Sequence, residues 1–142
     1  MHASILVAAA LFLCATTVAQ AQERPADVTV RTLLSTQATA TGQPIVLPPR
    51  DVQLIVSEFV IAPGAVLPVH RHPFPRYGIV MEGTLRVTRP GNPVPFDYKA
   101  GDVVVEMVGE LHYGTNTGTT PVRLIVIDQV VAGSPHTVID GK

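Results

Sequence analysis

The chain has 142 residues, 13 of them proline and one cysteine, with a formal net charge of −1 and 15% charged residues. A near-neutral chain with no basic cluster excludes a surface built for nucleic acid and leaves a small molecule or another protein as partner. With roughly one domain's length and Cys14 as its only cysteine, it is also excluded from the small disulfide-stapled scaffolds.

Residues 3–18, ASILVAAALFLCATTV, form an uncharged apolar run too short for a confident membrane span, and Ala19-Gln20-Ala21 supplies a small-x-small cleavage pattern. Residues 1–21 therefore read as a secretory signal peptide that carries Cys14 away. Bulky Leu13 before that cysteine argues against lipid modification. What remains, residues 22–142, is expected in the periplasm or outside the cell, with no membrane association once the signal is removed. Without cysteine, its stability has to come from packing.

Residues 22–50 read as an extended N-terminal arm: after VTVRTLL (28–34), the stretch 35–50 has little core of its own. Short apolar segments follow at 51–61, 76–89, 102–107 and 122–130, and no proline falls inside any of them. Proline stands between strands because it cannot donate to a ladder. Thr84, Arg86 and Thr88 alternate with Leu85 and Val87, the period of two of a strand with one wet face. The other segments are rich in Val and Ile on both faces, as in strands buried in a sandwich or covered by a second subunit. Turn signals recur at Pro63-Gly64, Glu82-Gly83, Pro90-Gly91-Asn92, Ala100-Gly101-Asp102 and Thr117-Gly118-Thr119. No long stretch has helical period. The expected fold is an all-β barrel or jelly roll over residues 51–131, with 132–142 as a short tail.

In a strand, alternate side chains share a face, so His70 and His72 point together while Arg71 points away. Two imidazoles on one face are half of a metal site. Pro68 and Pro73 bracket the pair and limit its ladder. His112, after the turn at Gly109, can complete a facial set of three nitrogens if the intervening strands fold back.

These residues resemble the two motifs of the cupins. The first reads Gly64, His70, His72, position 76 and Gly83; the second reads Gly101, Met107, Gly109, His112 and Asn116. The spacings agree throughout, and two identities differ: Met107 stands for a turn-forming proline, and Arg76 stands where the family has a glutamate. The resemblance implies a single-domain cupin β-barrel, and a homodimer. It also implies that His70, His72 and His112 hold a divalent ion such as iron, manganese, nickel or zinc.

Arg76 cannot be a ligand, since a guanidinium has no lone pair to offer a cation and is repelled by it. Three outcomes stay open. In the first, the ion sits on three histidines with Arg76 swung aside to bind a substrate carboxylate, which resembles the iron centre of cysteine-dioxygenase-like cupins. In the second, the site is a metal-free anion cradle; in the third, Arg76 is structural and paired with an acid. Glu106, lone in the apolar run 103–108, is the natural partner for Arg76, or it replaces the missing carboxylate at the ion, or it faces outward into water. By parity with Arg76, Gly78 and Val80 face inward, and Gly78 is expected to remove bulk beside the histidines and leave room for a small ligand. Phe74, Tyr77 and Tyr113 flank the expected mouth as packing residues, while Asn116 and Asp102 fix loops through backbone hydrogen bonds.

Two function classes follow. One is a metal-dependent oxygenase, isomerase or lyase acting on a small carboxylate, with Arg76 and Glu106 as candidate catalytic residues. The other is a non-catalytic binding protein for a small, anionic ligand.

Overall fold

The computed structural model describes residues 28–141; the expected signal peptide, with Cys14, lies outside the described residues. Among the described residues there is no helix, and the strands are β1 (Val52–Ile61), β2 (His70–Arg71), β3 (Arg76–Glu82), β4 (Thr84–Thr88), β5 (Phe96–Lys99), β6 (Val103–Val105), β7 (Tyr113–Asn116), β8 (Val122–Val131) and β9 (Val138–Ile139). The all-β, jelly-roll expectation holds. One sheet has the order β1-β8-β3-β6, a second β5-β4-β7, and a small third pairs β2 with β9.

The period of two decides what each strand buries. Along β8, Val122, Leu124, Val126, Asp128 and Val130 are buried while the residues between them are not. On β4, Leu85 and Val87 are buried and Thr84 and Arg86 exposed. With Ile61, Val80, Val104 and Met107, the side chains of Val122, Leu124, Val126, Leu85 and Val87 form the core between the two larger sheets. The chain passes from the first sheet to the second at a corner: the β3–β8 register shifts between Val80 and Glu82, and Gly83 follows at φ +79°. A Cβ on Gly83 would lie 2.7 Å from the Pro121 carbonyl oxygen, so both backbone conformation and space require glycine here.

Both ends of the described chain have definite work. In the arm, Ala38 bridges Pro44 and the Ala40 amide donates to the Val105 carbonyl at 2.8 Å, which covers the β6 edge. The Gln43 side chain imitates a strand neighbour, with Nε2 donating to the Val108 carbonyl at 3.0 Å and Oε1 accepting from its amide at 2.8 Å. The segment expected as a short tail contains β9, whose Ile139 and Val138 pair with His70 and Arg71. On the outer side of the first sheet, Val52, Leu54, Val56 and Val60 of edge strand β1 are exposed. Glu58, bridged by Arg123 at 2.6 Å, interrupts that apolar row between Val56 and Val60, and Arg123 also reaches Glu82 at 2.9 Å.

Candidate metal centre

Backbone ladders bring the two histidine motifs together. The His70 amide donates to the His112 carbonyl at 2.9 Å and the His112 amide to the His70 carbonyl at 2.8 Å. His72 bridges Val108 in parallel, and the Gly109 amide donates to its carbonyl at 2.8 Å. The Glu106 amide donates to the Arg76 carbonyl at 3.0 Å, which sets Glu106 one step along the same seam. The result is a buried cluster of His70, His72, Glu106 and His112, each offering one ligand atom within 4.8 Å of the others.

The histidine hydrogen bonds fix which nitrogen faces the cluster. Nδ1 lies 2.7 Å from the Pro68 carbonyl in His70, 2.9 Å from the His136 carbonyl in His72, and 2.9 Å from the Glu110 carbonyl in His112. A carbonyl only accepts, so each Nδ1 carries a proton and Nε2 is the atom that each ring turns towards the cluster, where it can hold a metal ion or, without one, a second proton shared with Glu106. Glu106 Oε2 stands 2.8 Å from Nε2 of His72 and 3.0 Å from Nε2 of His112. Acceptors this close are stable only with a cation between them, a proton or a metal ion. Metal–ligand bonds of about 2.1 Å put neighbouring ligands ~3 Å apart, so the donor set fits a divalent ion.

Burial pushes the Glu106 carboxyl up, yet hydrogen bonds from His112 and His72, and their charge, overcome it and hold the group well below its ordinary 4.5. Burial also pushes the His70 imidazole below its ordinary 6.5; the Pro68 carbonyl opposes this, and His112 and His72 add to it. In both cases the unfolded chain holds the proton more tightly than the folded one. Stability linked to these groups is present above the unfolded values and drains on acidification, the His70 share below 6.5 and the Glu106 share below 4.5. Metal-free protein is therefore expected to unfold at progressively lower denaturant concentration between about pH 7 and about pH 4, and His70→Asn should flatten the upper part of that curve.

Arg76 does not pair with Glu106. It lies buried against Asp128, donating from Nε to Oδ1 at 2.6 Å and from an Nη to Oδ2 at 3.0 Å. The same Nη lies 2.9 Å from His136 Nδ1 and donates to Thr137 Oγ1 at 3.0 Å; the other Nη lies 3.3 Å from His72 Nε2. Register explains the choice, since Arg76 on β3 sits directly opposite Asp128 on β8 with both side chains inward. Of the three readings of Glu106, the geometry matches the one that sets its carboxylate on the histidines, and burial rules out the outward-facing one. The motif's carboxylate has thus moved from β3 to the residue after β6. The vacated place holds an arginine whose charge Asp128 cancels.

Sequence reasoning missed Asp128, His136 and Thr137. Asp128 was detectable, being a lone carboxylate in an apolar strand, the signal that singled out Glu106. His136 and Thr137 belong to no motif. Gly78 and Val80 do face inward, but the space beside Gly78 is filled: a Cβ there would meet Leu124 at 3.1 Å. Asn116 acts as expected, donating to the Ile61 and Thr120 carbonyls at 2.9 and 2.8 Å and accepting from the Gly118 amide at 2.9 Å. Asp102 likewise caps its turn by accepting from the Lys99 amide at 2.9 Å.

Beside the cluster lies a cavity of about 140 Å³, with His70, His112, Glu106, Arg76 and Thr137 on one side and apolar side chains on the others. Phe74, Tyr77 and Tyr113 do not line it; Tyr77 lies on the outer face, beside the arm.

A cupin-domain family model matches residues 57–128. No curated protein sequence gives a significant match. Among solved structures, the chain is similar to a cupin-like protein from Thermotoga maritima, at 27% identity over 65% of this chain and 66% of that one, with a TM-score of 0.55. It is similar to the polyketide cyclase RemF from Streptomyces resistomycificus at 18% identity over 70% of each chain, TM-score 0.54. Oxalate decarboxylase from Bacillus subtilis, a protein with Mn(II) centres, shares 24% identity and a TM-score of 0.53 over 61% of this chain, which spans only 24% of that one. The last two likenesses bear on fold alone. Both histidine motifs and all the residues of the buried cluster fall inside the matched region, and the chain belongs to the cupin superfamily.

Proposed function

We propose that the protein is an exported cupin that binds a divalent ion through His70, His72, His112 and Glu106. In this reading it acts on a small carboxylate in the adjoining cavity as a metal-dependent oxygenase, isomerase or lyase. The observation that carries the metal reading is the convergence of three histidine Nε2 atoms and one carboxylate in a buried site. Iron(II), manganese, nickel and zinc all accept such nitrogen and oxygen donors. When bound, the ion supplies Lewis-acid polarisation of a coordinated oxygen.

The chain's own residues do the rest. The Pro68, His136 and Glu110 carbonyls hold the three rings by their Nδ1 protons and so aim each Nε2. Arg76 is a positioning residue: its Nε and one Nη are engaged by Asp128 and Thr137, so the forked face that would clamp a substrate carboxylate is already occupied. The non-catalytic reading also has an observation in its favour: among the described residues no uncommitted acid–base side chain lines the cavity, because Glu106 is held by the histidines and Tyr77 is elsewhere.

Elemental analysis of residues 22–142, purified without a metal-binding tag, is expected to find about one equivalent of ion per chain, lost in His70→Ala/His112→Ala. No ion after reconstitution with iron, manganese, nickel and zinc would overturn the metal reading. The same material should sediment as a homodimer, because a second copy covers the exposed Val52, Leu54, Val56 and Val60 row. Protein recovered from the periplasm or medium of the producing cell should begin at Gln22 if the leader is removed as proposed.

A further inference from the structure

We infer that the ligand of this site is a molecule with one anionic head and an uncharged, apolar body about the size of a benzene ring, and that multiply charged small acids are poor ligands. The inference rests on the metal reading above and adds the substrate class.

Three observations lead to it. First, the cavity walls are hydrocarbon: buried Leu85, Val87, Leu124 and Val126 line the interior, and partly buried Phe59, Leu67 and Ile139 lie nearer the surface. An apolar wall offers nothing to the second carboxylate of a dianion, which would lose its hydration without a partner. Second, the formal charges among the lining side chains are those of Arg76 and Glu106, and Arg76 is neutralised by Asp128 through two hydrogen bonds. A divalent ion on three neutral histidines and one carboxylate carries a net charge of +1, which one anionic head balances and two exceed. Third, the size is right, since a hydrocarbon-lined cavity of about 150 Å³ in another protein stays dry and takes benzene, and this one measures about 140 Å³. Gly114 helps to keep the space open, because a Cβ there would press on Leu67 and Leu85 at 3.3 Å each.

Fluorine NMR titrations on zinc-loaded and metal-free protein separate the head from the body. The probes are 4-fluorobenzoate (head and body), fluorobenzene (body alone), fluoroacetate (head alone) and difluoromalonate (two heads). On zinc-loaded protein, 4-fluorobenzoate is expected to bind at least about tenfold more tightly than fluoroacetate or difluoromalonate, from the apolar area that its ring buries. Val126→Phe, which fills the cavity, should abolish that preference while zinc stoichiometry is unchanged. Leu67→Trp, at a partly exposed site, should do the same if the first variant folds poorly. Difluoromalonate or fluoroacetate binding as tightly as 4-fluorobenzoate, or no 4-fluorobenzoate binding at all, would overturn the inference and leave the metal reading standing. If zinc does not bind, the metal reading falls and takes the anionic head of the ligand with it, and fluorobenzene binding would then uphold the apolar body alone.

Discussion

Asp128→Ala is expected to lower the unfolding free energy by about 3–5 kcal/mol and the melting temperature by roughly 10–20 °C. The side chains of Arg76 and Asp128 are 6% and 2% exposed, so truncating the acid strands a guanidinium where water cannot solvate it. The loss comes mainly from the orphaned charge, and the intact pair itself contributes little net stability, because desolvating both ions costs about what their attraction returns. Arg76→Met/Asp128→Leu should therefore recover most of the lost stability. Calorimetry on the two variants checks both statements. A loss below about 1 kcal/mol in Asp128→Ala would mean that Arg76 finds water or another acid. Arg76→Glu, which restores the family's usual residue, is expected to do harm for the same reason: it sets a second carboxylate against Asp128 while Glu106 already faces the histidines.

The second large effect concerns Glu106→Gln, expected to weaken metal binding by at least about a hundredfold, beyond the 10- to 100-fold typical of losing an outer partner. Glutamine keeps the volume and loses the charge, so the fold should survive while the only carboxylate of the cluster is gone. Chelator competition measures the affinity, and circular dichroism checks that the strands persist. An unchanged affinity would show that the three histidines suffice and that Glu106 serves them only as a hydrogen-bond acceptor.

The sheet was legible in the residues because a buried strand leaves a local trace. Val122, Leu124 and Val126 alternate with side chains facing outward, and proline marks where each run stops. The three histidines were legible because their spacing within each motif is local, even though only long-range pairing joins His70 to His112. The partner of Arg76 was not. Choosing between Glu106 and Asp128 requires the register of β3 on β8, and alternation reports which face a residue takes without saying which neighbour it meets. The role of residues 136–139 was hidden for a different cause. His136 contributes its backbone carbonyl to His72, and every residue has a carbonyl, so nothing in its identity announces the contact.

That contact also sets a timetable. His70 and His72 leave the ribosome well before His136, Thr137 and β9, which steady His72, hold Arg76 and pair with His70. While the chain is still growing, the early histidines lack the carbonyl that aims one ring and the strand that backs the other. High-affinity capture of an ion therefore belongs to the finished chain, not to the nascent one. Since nitrogen and oxygen sites select among first-row metals largely by what is available, the metal found in the protein should record the place where folding ends, whatever ions surround the ribosome that made it.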